Sequence, residues 1–179
     1  VRGAALDVGY GEGRLVRRLA PHVGQVTGID TDPAIIDAAR ARGVPANAAF
    51  RVGGLAEVRG RFDVVTMVAV LHHLRAREAL EQVVGLLNPG GRFLCVGLAR
   101  VDGAVDLAWD VLNAATNPVI GVLKHPRVNR GAIAEPAFRT VEPTLALDEL
   151  RTVGAEVMPG LRVRRRQGFR HTLKWTRPG

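Results

Sequence analysis

The sequence predicts an α/β chain: a doubly wound, mostly parallel sheet covered by helices and closed by a C-terminal antiparallel hairpin. Three observations carry this. Short apolar runs alternate with helix-like stretches through the first hundred residues. One run, Phe62 to Val70, is almost unbroken in its apolarity, as expected of a strand covered on both faces. The last nineteen residues alternate apolar and charged side chains around Gln167-Gly168, the pattern of two strands joined by a turn.

Each element follows in order. Ala4 to Val8 is the first strand, and it runs through a glycine-rich turn into a helix carrying Leu15, Val16 and Leu19. Val26 to Ile29 is the second, ending at Asp30; Pro33 then suits the first turn of a helix reaching Ala39. Ala49 to Val52 makes a weaker third strand before the long fourth. A helix over Ala76 to Leu87 stops at Asn88-Pro89-Gly90-Gly91, a turn into a fifth strand over Arg92 to Gly97. Residues 104–123 read as an apolar helix broken at Asn117-Pro118, and residues 124–143, with Pro126, Pro136 and Pro143, as a long ordered loop. Thr144 is the expected N-cap of a helix to Val157. In the hairpin, Leu161 and Val163 share one face, as do Phe169, His171, Leu173 and Trp175. The expected organisation is one domain over 1–179, in two parts, 1–98 and 99–179.

Composition narrows the class. The 179 residues are 47% hydrophobic, enough for a sizeable core without staples. A single cysteine, Cys95, excludes an intrachain disulfide framework; inside GRFLCVGL it reads as a small buried hydrophobe. No signal pattern and no apolar stretch of membrane-spanning length appears, so a cytoplasmic location is expected. The formal charge of +8 is local. Residues 161–179 hold seven of the 25 Lys and Arg and no acid, leaving 18 cations against 17 acids elsewhere. The tail therefore reads as the solvated face of a hairpin, and a nucleic-acid partner is not expected.

The chemistry sits in the turns after the strands. In Asp7-Val8-Gly9-Tyr10-Gly11-Glu12-Gly13 the glycines let backbone approach a ligand closely. Their G-x-G-x-G spacing, with an acid two residues ahead, differs from the G-x-G-x-x-G of dinucleotide sites. Asp30, ending the second strand, is placed to hold the hydroxyls of a ribose. ALDVGYGEG, TGIDTDP, FDVVTMVAVLHHL and LLNPGGRFL, in this order, resemble the class I S-adenosylmethionine-dependent methyltransferases over about Ala4 to Gly97.

That resemblance implies a three-layer Rossmann-like fold and S-adenosylmethionine as methyl donor, with S-adenosylhomocysteine as product. It assigns Asp7, Gly9, Tyr10, Gly11 and Gly13 to the cofactor turn, Asp30 to the ribose and Thr31 to the edge of the adenine. It places Met67 and Val68, through their backbone, near the methionine amino group. Gly54 and Leu55 stand where the family often has an acid that contacts adenine, so that contact falls to backbone or is missing. Tyr10 replaces a smaller residue, which suggests a tighter or partly covered turn. The sequence also opens on its first strand, without the preceding helix that family members usually carry.

The implied reaction is methyl transfer to a small-molecule acceptor, with the apolar 104–123 segment as a candidate pocket wall. Transfer from a sulfonium needs alignment and exclusion of water more than side-chain chemistry. Only His72 and His73, just past the fourth strand, are candidates for a general base. No metal-ligand spacing is present, and no Asn/Asp-Pro-Pro-Tyr/Phe string that would indicate adenine or glutamine acceptors. Three other readings share parts of this pattern: a degenerate binding module without turnover, an RNA methyltransferase using the basic tail, and an NAD(P)-dependent oxidoreductase. The last lacks a Tyr-x-x-x-Lys pair.

Overall fold

The computed structural model describes residues 3–98, 146–166 and 170–179. Its centre is a seven-stranded sheet in the order β3-β2-β1-β4-β5-β7-β6. The strands are β1 (Ala4–Val8), β2 (Gln25–Asp30), β3 (Ala48–Val52), β4 (Phe62–Val68), β5 (Leu87–Leu98), β6 (Arg162–Arg166) and β7 (Arg170–Thr176). The first five pair in parallel; β7 runs antiparallel to both β5 and β6. The expected sheet and its closing hairpin are both present.

Among the described residues helices pack on both faces, on one of them only over β1, β2 and β3. On one face α1 (Arg14–Leu19) and α2 (Pro33–Ala41) bury Val16, Ile36 and Ala39 against Ala5, Val26 and Phe50. On the other, α3 (Ala76–Leu86) and α4 (Leu147–Val157) bury Leu80, Val83, Leu147 and Leu150 against Leu6, Val65, Met67, Phe93 and Leu173. Cys95 lies in this second layer, where burial pushes its thiol up to about 12. Trp175 is buried there too, and its indole N–H donates to the Pro159 carbonyl at 3.0 Å. Among the described residues no helix is long and apolar enough to cross a membrane.

Three boundaries differ from the sequence expectation. β4 ends at Val68 rather than Val70, because Ala69 adopts φ +56° and its N–H bonds the Val96 carbonyl at 2.8 Å, turning the chain across the strand end. Asn88-Pro89-Gly90-Gly91 does not stand outside the sheet but lies within β5. Leu87 already pairs with Phe62, the register shifts before Arg92, and Gly90 and Gly91 exchange hydrogen bonds with Arg177. α4 begins at Leu147 after Ala146, which provides no side-chain cap, with Asp148 and Glu149 favourably placed in the first turn. Thr144, the 104–123 segment, the 124–143 loop, Gln167-Gly168 and Phe169 lie outside the described residues.

What positions a site is the divergence at β1. Its neighbours are β2 on one side and β4 on the other, so the segments leaving these strands open a crevice at their carboxyl ends. α2 is anchored there by its own start: Asp32 caps Ala34 N–H at 2.9 Å and Pro33 opens the first turn.

Candidate functional site at the carboxyl edge of the sheet

The turn after β1 is held left-handed three times, with Gly9 at φ +67°, Gly11 at +54° and Gly13 at +74°. Each glycine has its own steric reason. A Cβ on Gly9 would lie 2.1 Å from Val70 Cγ2, and one on Gly13 would lie 2.8 Å from the Phe50 ring. A Cβ on Gly11 would meet nothing within 4 Å. Gly9 and Gly13 thus serve close packing, whereas Gly11 borders open space. The Gly9 and Tyr10 N–H groups donate to the Ile29 carbonyl, and the Gly11 N–H donates to Asp30 Oδ2 at 3.0 Å. Asp30 Oδ1 accepts the Asp32 N–H at 3.1 Å. One carboxylate therefore ties the β1 turn to the start of α2.

A cavity of about 320 Å³ opens here. Gly9, Gly11, Asp30, Thr31, Gly54, Leu55 and Val68 line it, as does His73. Residues not singled out in the sequence complete the wall, chiefly Ile29, Ile35, Gly53, Val70 and Leu74. Ile35 stands five residues past Asp30, in the first turn of α2 and facing back, which helical periodicity alone could have indicated.

Four expected residues stand outside the lining of the cavity. Tyr10 does not cover the turn: its ring is buried beneath it, stacked on Phe50 at 4.7 Å between centroids, in space left by Gly28. A Cβ on Gly28 would fall 2.8 Å from the Tyr10 ring, so the large residue in the turn is matched by the smallest one in β2. Gly13 is buried behind the loop, and the Met67 side chain points into the α3 and α4 layer. Asp7 is 2% exposed and outside the lining; its Oδ1 accepts the Thr66 hydroxyl at 2.6 Å. Burial raises its pKa to about 6 despite that bond, and the nearby charge of Asp30 adds to the rise.

The histidines form a group at the same edge. His72 and His73 rings lie 4.0 Å apart between centroids. His72 Nδ1 is buried without a partner, and burial, then the His73 charge, lowers its pKa. His171, buried in β7 opposite Gly97, has neither ring nitrogen partnered, and its pKa falls to about 4 through burial and the His72 charge. Burial therefore disfavours the charged form of both rings, most strongly in His171. The residue that sequence reasoning missed most completely is Arg17. Its guanidinium donates to the carbonyls of Glu12, Ala39 and Gly43, clamping the glycine turn to the end of α2.

Comparison with known proteins agrees with this geometry. A family model described as a methyltransferase domain matches residues 6–95. An uncharacterized methyltransferase of Mycobacterium tuberculosis is 31% identical over 180 residues, covering 97% of this chain and 86% of that one. A ubiquinone biosynthesis O-methyltransferase of Xanthomonas oryzae is 36% identical over 110 residues, covering 58% of this chain and 46% of that one. Among solved structures, DhpI in complex with SAH superposes with a TM-score of 0.68 at 22% identity, over 99% of this chain and 78% of that one. With the glycine turn, the strand-end carboxylate and the sheet order already in place, these matches show that the chain belongs to the class I, Rossmann-like S-adenosylmethionine-dependent methyltransferase superfamily.

Proposed function

We propose that this protein transfers a methyl group from S-adenosylmethionine to a small, largely apolar acceptor, and that the carboxyl-edge cavity holds the donor. The observation that carries this is the cavity's division of labour. Asp30 and the turn give it a polar side; Ile29, Ile35, Leu55, Val68, Val70 and Leu74 give it an apolar one. The residues suit the donor. Each Asp30 oxygen spends one acceptor position on the protein and keeps another for a ribose hydroxyl. Gly11 leaves its space free, and Ile35 and Leu55 offer apolar surface to an adenine. Thr31 and the backbone of Gly53 and Gly54 would take the polar edge, in place of the acid that relatives often use. Asp7 would act through its charge from beneath the turn.

When bound, the donor supplies an electrophilic methyl group on a sulfonium. What the chain supplies is alignment and an apolar wall at Val68 and Val70. His73, exposed and lining the cavity, is the candidate to touch an acceptor and take its proton; His72 beside it, its pKa lowered by burial, is the alternative. This reading includes a single domain over 1–179, with the acceptor side supplied by 99–179, and a cytoplasmic location.

Calorimetric titration with S-adenosylhomocysteine tests the donor site. Saturable binding that weakens about tenfold or more in Asp30→Ala is expected, since hydrogen bonds to a charged acceptor are worth about 1.5–3 kcal/mol. Transfer of labelled methyl from S-adenosylmethionine to a panel of small phenols and amines tests the acceptor class. Absence of binding by the wild type, or label transferred to RNA instead, would overturn the reading.

A further inference from the structure

The cations of the last strands share one side of the sheet. In β6, Arg162, Arg164 and Arg166 are exposed and alternate with half-buried Val163 and Arg165. In β7, exposed Arg170 and Lys174 alternate with buried His171, Leu173 and Trp175. The register sets Arg162 opposite Lys174 and Arg166 opposite Arg170, and β5 adds exposed Arg92 on the same face, opposite Thr176. Six cations, Arg92, Arg162, Arg164, Arg166, Arg170 and Lys174, therefore lie together. The described residues of these strands carry no Asp or Glu on that face.

Like charges directly opposite in an antiparallel pair weaken the pairing. Charge on an edge strand does deter unwanted pairing. Alternating signs across the hairpin would deter it equally and stabilise the ladder as well. A patch that opposes its own hairpin is therefore fitted to an anionic surface that relieves the repulsion.

The kind of anion follows from what adjoins the cations. Leu94, 39% exposed, sits between Lys174 and Thr66 on this face; beside it Val96 pairs with Val68, which is 47% exposed. No aromatic side chain of the described residues of β5, β6 and β7 stands on this face, so it offers no platform for stacking bases. Val68 also lines the cavity, making the basic and apolar face continuous with its mouth. We propose that this face seats the protein on an anionic lipid bilayer, with the Arg and Lys side chains on lipid phosphates and Leu94 and Val68 at the acyl boundary. Such seating would hold the cavity mouth at the membrane surface. The inference goes beyond methyl transfer and does not depend on it.

Flotation with phosphatidylcholine vesicles, with and without phosphatidylglycerol, tests it. The protein should float only with phosphatidylglycerol present, and raised salt should release it. Replacing Arg162→Gln, Arg164→Gln and Arg166→Gln together should lower the partition coefficient about a hundredfold, with circular dichroism unchanged. Leu94→Ser should lower it further. Wild-type protein that stays lipid-free, partitioning insensitive to salt, or a triple variant that floats like the wild type would each overturn the proposal. So would a single-stranded RNA that displaces the protein from the vesicles.

Discussion

The two edges of the sheet are built on opposite principles. At the amino edge, Asp63 accepts the Ala4 N–H at 2.8 Å and the Asn88 side-chain amide at 2.9 Å, joining the starts of β1, β4 and β5. These bonds favour its charged form, and its pKa is lowered. At the carboxyl edge, Asp7 is buried, has a single hydroxyl donor and is raised to about 6. Gly9, Gly11, Gly13 and Ala69 all take positive φ there, and buried His72 and His171 nitrogens lack partners. One edge satisfies its polar groups and closes the fold. The other holds one strained residue, Ala69, and buried ring nitrogens without partners, as sites do when their geometry serves a ligand.

The sharpest way to break this contrast is Gly11→Val. The Cβ would meet no protein atom within 4 Å and the side chain would take up space bordering the cavity, so S-adenosylhomocysteine affinity should fall about a hundredfold or more by calorimetry, while the left-handed backbone costs stability of about 1–3 kcal/mol. Retained affinity in a folded variant would make the turn merely structural.

Asp63→Ala should show the reverse pattern. It strips two donors of their acceptor and should cost about 2 kcal/mol in urea unfolding, with ligand affinity unchanged. Because its folded pKa is lowered, the stabilisation from Asp63 is present above the ordinary carboxylate range and is lost as pH falls through the folded value. The gap between wild type and variant should therefore narrow in acid.

Asp7→Asn sharpens the comparison from the other side. A raised folded pKa means stability that is complete below the unfolded value near 3.8 and is lost as pH rises through about 6. Above that pH the variant should be more stable than the wild type by about 2–3 kcal/mol, and below pH about 4 the two should coincide. Its affinity for S-adenosylhomocysteine should drop if the charge beneath the turn serves the ligand's ammonium group. A variant that is no more stable at neutral pH would show that the burial of Asp7 costs the fold nothing. The smallest effect belongs to Ala69→Gly. Relief of the left-handed strain and the added chain entropy nearly cancel, so thermal unfolding should shift by less than about 1 kcal/mol.

The sequence alone determined the order of strands and helices, the glycine turn and the strand-end carboxylate. Apolar periodicity, glycine and proline are local signals that burial then obeys, as in the alternation of β7 around Leu173 and Trp175. It also foresaw which cations would be exposed, since strand geometry forces Arg162, Arg164 and Arg166 onto the side away from Val163. Only the tertiary structure decided where Tyr10 goes. Its burial depends on Gly28 and Phe50, neither of which is near it in the chain. The end of β4 at Ala69, the entry of Asn88-Pro89-Gly90-Gly91 into the ladder and the hold of Arg17 on the end of α2 likewise rest on partners 22 or more residues away, such as the Arg17 bond to Ala39. The same holds for the two aspartates. Asp7 and Asp63 are both strand carboxylates in sequence, and it is burial in one case and two added donors in the other that drive their pKa values apart.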